Sequence, residues 1–573
     1  MQTTAQPGSG TRPSSETRRA LRRCRGAFFG VAIFSAAVNV LALAGPLYML
    51  QLYDRVLTSR SVQTLIGLTL ALFLVYAIYC VVDVIRVRML TRIGVRIDRE
   101  LRDRVLAAVA IMPLRTQTTS GLQPLRDLEQ IRGFLSSLGP TALFDFPWMP
   151  LYFGIIYILH PWLGMLAIAG GLLFVALTIL TEARSRQPTQ AAAMAGSARQ
   201  NFGELVRRNA EVIRALGMRR HLQPRWTDLN EQYLSAQSGM ADLTGAYGSV
   251  TKIMRMLLQS VVLGLGAYLV IMEQATAGVM IAASILVSRA LAPIEVAIGN
   301  WRSFIAARQS AARLDKLLAL VPPEAETLVL PKPREALSVE GLWAAAPGAQ
   351  RPILQNVTFR LQAGTGLGII GPAAAGKSTL ARVLVGAWLP QRGVVRLDGA
   401  AIEQWSPDQL GRHIGYLPQD IELFSGTVAE NIARFAADAT GEAIISAAKQ
   451  AGVHDMILRL ANGYQTQIGE AGTVLSAGQR QCVALARALY GDPFLVVLDE
   501  PNSSLDAAGD AALAHAIAAI RKRGGIAIVI THRRSALAPL DQLLVLGDGQ
   551  VRAFGPKGEV IQQTFQSVAS QSR

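Results

Sequence analysis

The chain has 573 residues, of which 51% are hydrophobic and only 17% charged, against roughly 25% charged in an average soluble domain; this excludes a disordered, collagen-like or small disulfide-stapled protein. Its three cysteines, Cys24, Cys80 and Cys482, lie far apart without metal-ligand spacing and read as isolated thiols. A net charge of +16 leaves nucleic acid or an anionic membrane open as partners until the charges are placed.

Residues 1–26 are polar, with six arginines against Glu16. An uncharged run of 27 residues, Ala27 to Tyr53, follows; at ~1.5 Å per residue it can cross ~30 Å of hydrocarbon. Thr64 to Val82 is a second uncharged run, of 19 residues, and the short polar connection Asp54 to Gln63 makes the two a hairpin. Phe146 to Thr181 is uncharged for 36 residues, ~54 Å of helix and too long for one crossing. His160-Pro161 divides it into two spans, the first starting near Pro140. Met256 to Met272 and Ala275 to Ser288, the latter continuing through Arg289 and Pro293, bring the total to six. Pro46, Pro147, Pro150 and Pro293 are expected to kink their helices.

Arginine placement sets the orientation. With the N-terminus inside, the cytoplasmic side holds residues 1–26, the stretch Arg86 to Arg132 and the stretch Glu182 to Arg255, which carry most of the basic residues of this half. The opposite face shows only Asp54, Arg55, Arg60, His160 and Glu273. Much of the +16 therefore reports topology. No nucleic-acid partner is expected, and attraction to anionic inner-leaflet lipid is a secondary consequence. Both long inside loops read as helical extensions of the spans. Asp145 and Arg289 lie at or within apolar spans, where they either line a translocation path or form ion pairs and interfacial contacts.

An amphipathic helix runs from Trp301 to about Leu320, completing a membrane domain over 27–320. Two proline clusters, at Pro322-Pro323 and Pro331/Pro333, mark a linker at 321–335. From 336 to 557 short β-branched runs such as Leu367 to Ile370, Leu495 to Leu498 and Ile526 to Ile530 alternate with alanine-rich helices, an α/β pattern. Residues 558–573 form a polar tail.

Gly371-Pro372-Ala373-Ala374-Ala375-Gly376-Lys377-Ser378-Thr379 follows a strand and opens a helix. This is a phosphate-binding loop: its N–H groups and the helix N-terminus surround phosphates, Lys377 bridges the terminal ones, and Ser378 offers a hydroxyl to Mg²⁺. Leu495 to Leu498 ends in Asp499, suited to the Mg²⁺ shell, and Glu500, suited to activating a water. Between them Leu475-Ser476-Ala477-Gly478-Gln479 leads into the helix Cys482 to Leu489, an N-cap and a second anion site.

In this order the motifs resemble those of an ABC transporter: a six-span exporter-type transmembrane domain plus an α/β P-loop nucleotide-binding domain. The resemblance implies ATP and Mg²⁺ as cofactors and a homodimer in which Leu475 to Gln479 of one subunit, Ser476 and Gly478 above all, meet the γ-phosphate held by the other. It implies that Gln419 touches Mg²⁺ and senses the membrane domain, that Asp506 of Ser503-Ser504-Leu505-Asp506 crosses the dimer interface, and that His532 contacts the γ-phosphate beside the base Glu500. Two positions depart from the family. Ala477 stands where glycine is usual, which is tolerated unless the position needs φ > 0. Ala346 stands where many exporters stack an aromatic on adenine, while Trp343 reads as structural.

The membrane half, in Pro46 to Leu57, Phe144-Asp145-Phe146-Pro147-Trp148, His160 to Gly164 and Ser288 to Pro293, resembles type I secretion ABC transporters, of the kind exporting proteases, lipases and haem-acquisition proteins in Gram-negative bacteria. The resemblance implies a multi-pass inner-membrane location with N-terminus and ATPase domain in the cytoplasm. It further implies a periplasmic membrane fusion (adaptor) protein, an outer-membrane channel protein and a secreted polypeptide with a C-terminal signal as partners. The 26 residues before the first span leave no room for an N-terminal peptidase-like domain. The competing readings are an exporter of lipid or small hydrophobic molecules, and a weakly active subunit of a heteromeric complex.

Overall fold

A computed structural model describes residues 15–116, 121–322, 329–469, 472, 474–503, 505 and 507–563. The chain divides into two compact units: Met1–Val109 with Ser120–Pro322, and Ala110–Thr119 with Pro323–Arg573.

The described part of the first unit is helical. It comprises α1 (Glu16–Arg23), α2 (Arg25–Leu41), α3 (Ala44–Gln51), α4 (Val62–Arg115), α5 (Gln123–Leu135), α6 (Gly139–Asp145), α7 (Met149–Leu159), α8 (Pro161–Arg208), α9 (Arg219–Ile271), α10 (Ala277–Gly299) and α11 (Trp301–Leu320). Among the described residues six segments are long and apolar enough to cross a membrane: Arg25–Ser59, Val62–Arg115, Gly139–Leu159, Pro161–Arg208, Arg219–Ile271 and Ala277–Gly299. The polar stretches are helical extensions, since α4 runs past Val82 to Arg115, α8 past Thr181 to Arg208, and α9 begins at Arg219, far ahead of Met256.

The connection at Asp54 to Gln63 is more helical than its polarity suggests. A π-helical turn at Leu52–Val56 carries the first span to Ser59, and Arg60, left-handed at φ 52, ends it. At the other hairpin His160 is extended (φ −162, ψ 127) and Pro161 opens α8, where its missing N–H costs nothing. Gly164 lies where a Cβ would overlap the main chain of Tyr157, so α7 and α8 fold back closely, as small residues allow between membrane helices. Of the four prolines expected to kink, Pro147 falls in a 3₁₀ turn and Pro46 and Pro150 near helix starts, while Pro293 sits inside the continuous α10. The core of this bundle gathers Tyr152, Ile156, Leu163, Phe174, Val262 and Leu286.

The second unit holds β1 (Ala336–Ala344), β2 (Leu354–Gln362), β3 (Gly366–Ile370), α12 (Lys377–Leu384), β4 (Arg392–Leu397), β5 (Ala400–Ala401), β6 (Ile414–Leu417), α13 (Ala477–Leu489), β7 (Leu495–Asp499), β8 (Ile526–Ile530), β9 (Gln542–Gly547) and β10 (Gln550–Pro556), with further short helices. One sheet has four strands in the order β2-β1-β4-β5, paired antiparallel; the other has six in the order β10-β9-β3-β8-β7-β6. In the six-stranded sheet β9, β3, β8, β7 and β6 are parallel. Its central strands β3, β8 and, up to Asp499, β7 carry no polar side chain because both faces are covered. Leu495, Val497, Ile526, Ile528 and Ile530 enter the core on one face, and Val496, Leu498, Ala527 and Val529 the core on the other.

The register fixes the site. Ile530 of β8 is level with Ile369 of β3 on one side and Asp499 of β7 on the other, and Leu498 is level with Leu417 of β6. The carboxyl ends of four adjacent strands therefore finish together, the place where open parallel sheets bind ligands.

Candidate active site

From the end of β3 the loop Gly371–Gly376 turns into α12. A Cβ at Gly371 would overlap the carbonyl oxygen of Leu546, and Gly376 caps the helix at φ 95, so both positions need glycine. Ala374 is held at φ 62, a conformation that strains a residue with a Cβ. Lys377 is buried, and its Nζ donates to the carbonyls of Gly371 and Pro372, both at 2.8 Å. The loop is thus wrapped around its own ammonium, which stands ready to be shared with a phosphate. Ala375 and Thr379 are buried beneath it.

Asp499 ends β7 with 2% of its surface exposed. Burial pushes its carboxyl above the usual carboxylate range, a hydrogen bond from the Ser378 hydroxyl pulling it part of the way back. Among the described residues its buried Oδ1 has no hydrogen-bond partner. An orphaned carboxylate oxygen next to a serine hydroxyl, under a phosphate-binding loop, is a donor set that fits a hard divalent cation.

Glu500 follows at φ 51, a left-handed turn that aims its side chain across the strand ends. The main chain holds it there: its N–H donates to Ile530 at 2.9 Å and its carbonyl accepts from Ser503 at 3.2 Å. Gln419, just past β6, donates from Nε2 to Glu500 Oε2 at 3.2 Å. His532, just past β8, places Nε2 at 3.8 Å from Glu500 Oε1, beyond hydrogen-bond range. Glu500 thus stands between an amide and an imidazole, with Oε1 unbonded among the described residues and turned toward the latter.

Sequence reasoning assigned no role to Gln481. Its side chain is 2% exposed, and Nε2 donates to the carbonyls of Glu500 and Pro501 and to Ser503 Oγ. The legible signal was an amide within the otherwise apolar inner face of α13.

The predicted helix at Cys482 begins instead at Ala477, because Ser476 caps it: Ser476 Oγ accepts from the Gln479 N–H at 3.3 Å and Gln479 Oε1 accepts from the Ser476 N–H at 2.9 Å, a capping box. Ala477 is the first helical residue and is absent from the positive-φ positions, so its methyl costs no backbone strain. Leu475 is buried, whereas Ser476 and Ala477 are exposed and Gly478 half-exposed. Among the described residues none of them bonds to the loop Gly371–Thr379 of the same chain. Asp506 lies outside the described residues. Ala346 sits half-buried in the turn after β1, its carbonyl accepting from Ala349 at 2.9 Å, and Trp343 is half-buried on β1 opposite Arg392.

In the membrane unit Asp145 is held in a network. Arg86 Nη1 lies 2.9 Å from both of its carboxylate oxygens, Asn39 Nδ2 donates to Oδ1 at 2.8 Å, and Tyr152 Oη donates to the Asn39 carbonyl at 2.8 Å. Arg86 also meets Asp83 at 2.7 Å. Of the two alternatives for Asp145, the geometry supports the ion pair. Arg289 is exposed, with no hydrogen bond or ion pair among the described residues.

A phosphate loop, an acidic strand end and a capped signature helix, in one chain with six apolar spans, define the class of ATP-hydrolysing transporters. Residues 354–503 match the ABC transporter family model and residues 28–292 the ABC transporter transmembrane region. The fold is that of a bacterial Atm1-family ABC exporter solved with ATP bound, at a TM-score of 0.81 and 22% identity over 96% of this chain and 99% of that one. The type I secretion system ATP-binding protein PrsD of Rhizobium meliloti is 52% identical over 96% of this chain and 95% of its own length. The toxin RTX-I translocation ATP-binding protein of Actinobacillus pleuropneumoniae is 28% identical over 95% of this chain and 77% of its own length. The chain belongs to the type I secretion ATP-binding proteins of the ABC transporter family.

Proposed function

We propose that the chain energises one-step export of a polypeptide across the Gram-negative envelope by hydrolysing ATP. One observation carries this: Lys377, Ser378, Asp499, Glu500, Gln419 and His532 converge on a single sheet edge, in a chain half of whose residues match a type I secretion protein end to end.

Ser378 and Asp499 would hold Mg²⁺, with Gln419 beside them; bound there, the ion supplies neutralising charge for the phosphates. Gly371 to Thr379 wrap the phosphates with main-chain N–H groups, and Lys377 shares its ammonium with the terminal ones. Glu500 Oε1, free of hydrogen bonds, receives the proton of the attacking water, while Gln419 fixes Oε2 and His532 orients the water and the γ-phosphate. Ser476 and Ala477 are exposed within their own chain, so a second copy completes the site: Leu475 to Gln479 close on the partner's nucleotide, and Asp506 crosses between copies. ATP binding draws the copies together and hydrolysis releases them.

The arginine asymmetry supports an inner-membrane location with the N-terminus and ATPase unit in the cytoplasm. A periplasmic adaptor, an outer-membrane channel and a substrate with a C-terminal signal complete the export route. The test is the medium around cells from which the chain has been deleted. One or a few secreted polypeptides should vanish and return with the wild-type chain but not with Glu500→Gln. An unchanged set of secreted proteins, with altered membrane lipid instead, would overturn the polypeptide reading.

A further inference from the structure

Among the described residues the buried Arg86 and the half-buried Arg104 and Arg255 are matched by acids, whereas the exposed Arg289 of α10 is not. Arg86 is matched by Asp145 and Asp83, and Arg255 by Glu295, whose Oε1 lies 2.5 Å from its Nε. Arg289 has no such partner among the described residues. It is the thirteenth residue of α10, about 18 Å along the axis at ~1.5 Å per residue, close to the middle of a ~30 Å hydrocarbon layer. An arginine there cannot escape by losing its proton.

Its surroundings are not those of a side chain reaching for lipid headgroups. α10 has the most buried apolar window of the six spans, 56% of it enclosed, and packs against α3, α6, α7, α8 and α9. From Ala277 to Ile298 every residue is buried or half-buried except Arg289. Ile281, Ile285, Ala292 and Val296 share its face at helical spacing and are half-buried, so the subunit leaves one stripe of its innermost helix incompletely covered. That stripe carries a single fixed positive charge among small and aliphatic side chains.

We propose that Arg289 binds the carboxylate side chains of the polypeptide in transit, giving the route a preference for acidic segments. This rests on the polypeptide-export reading. Charge complementarity selects this occupant over the others. The carboxylates of a second copy on the packed bundle, Asp145 and Glu295, are already held by Arg86 and Arg255, and lipid phosphates lie at the surface rather than at mid-span. Elsewhere the stripe offers an extended chain only non-directional apolar contact.

The test uses the full-length protein in lipid nanodiscs and three fluorescent, unstructured peptides of equal length with Asp, Asn or Lys at the same positions, followed by anisotropy. The wild type should bind the Asp peptide at least about tenfold more tightly than the Asn peptide and the Lys peptide least, with the margin shrinking as salt rises. Arg289→Gln should bring the Asp peptide down to the affinity of the Asn peptide, and Arg289→Lys should keep the order. Equal affinity of the wild type for Asp and Asn peptides overturns the proposal and leaves polypeptide export standing, as does an undiminished Asp preference in Arg289→Gln. Binding of none of the three overturns both. Should Arg289→Gln misfold, the order among peptides in the wild type and in Arg289→Lys still decides.

Discussion

Gln481 donates from its side-chain amide to the main-chain carbonyl of Glu500 at 3.2 Å. One buried residue on the signature helix thereby holds the turn that aims the Glu500 carboxylate. That turn is left-handed for a non-glycine residue, a conformation that costs on the order of 1–3 kcal/mol and lasts only where its surroundings enforce it.

Gln481→Leu is therefore expected to lower turnover more than it weakens ATP binding. The buried Pro501 carbonyl loses its donor, a penalty of about 1–3 kcal/mol, and the Glu500 carbonyl keeps only the Ser503 N–H. The check is the split between kcat and KM for ATP in the purified protein: kcat should fall at least about tenfold with KM within about threefold. A raised KM at unchanged kcat would assign Gln481 to nucleotide binding instead.

Asp499 gives a prediction with opposite signs for stability and binding. Its carboxyl is raised in the folded state mainly by burial. The folded protein thus holds that proton more tightly than the unfolded chain, and stability present at low pH is lost as pH climbs from the ordinary carboxylate value through the raised one. Above the raised value the metal-free unit bears this cost in full. Asp499→Asn should leave the nucleotide-free protein as stable or more stable by thermal melting, while Mg²⁺-dependent ATP hydrolysis falls on the order of 100-fold. A lowered melting temperature without nucleotide would contradict the electrostatic account.

The Arg86–Asp145 pair calls for a double-mutant cycle. Removing Arg86 leaves the Asp145 carboxylate without its cation, at about 3–5 kcal/mol, whereas removing Asp145 costs less because Arg86 keeps Asp83. Asp145→Asn and Arg86→Met should each destabilise the detergent-solubilised protein to chemical denaturation, and the double variant should lose less than their sum, by roughly 0.5–3 kcal/mol. Strict additivity would mean that the two do not interact.

How much of this was legible depended on periodicity. Six apolar runs, the helical extensions and strands such as Ile526 to Ile530 announced themselves because burial on both faces, or in lipid, demands unbroken apolar sequence. The P-loop and the Asp499-Glu500 strand end were legible as motifs, and the Ser378 hydroxyl stands at hydrogen-bond distance from Asp499. The left-handed backbones of Ala374 and Glu500 were not, since neither residue type favours that region. Nor was the partner of Asp145, because Arg86 lies 59 residues away in sequence and nothing local marks the pairing.

Ala477 was a departure whose outcome hung on one angle. At the first position of a capped helix, without positive φ, alanine and glycine should serve nearly alike. Ala477→Gly is expected to change ATP turnover by less than about threefold, since small-residue exchanges at helix starts are worth only tenths of a kcal/mol. A gain of an order of magnitude would instead favour a subunit weakened by its signature.

The central claim is that Glu500, held by Gln419 and Gln481 and facing His532, drives ATP cleavage. The direct measurement is the rate of ATP hydrolysis by purified full-length Glu500→Gln beside the wild type, with Mg²⁺-dependent ATP binding measured on the same samples. The account predicts ATP binding retained and hydrolysis reduced on the order of 100-fold or more; hydrolysis at the wild-type rate would contradict it.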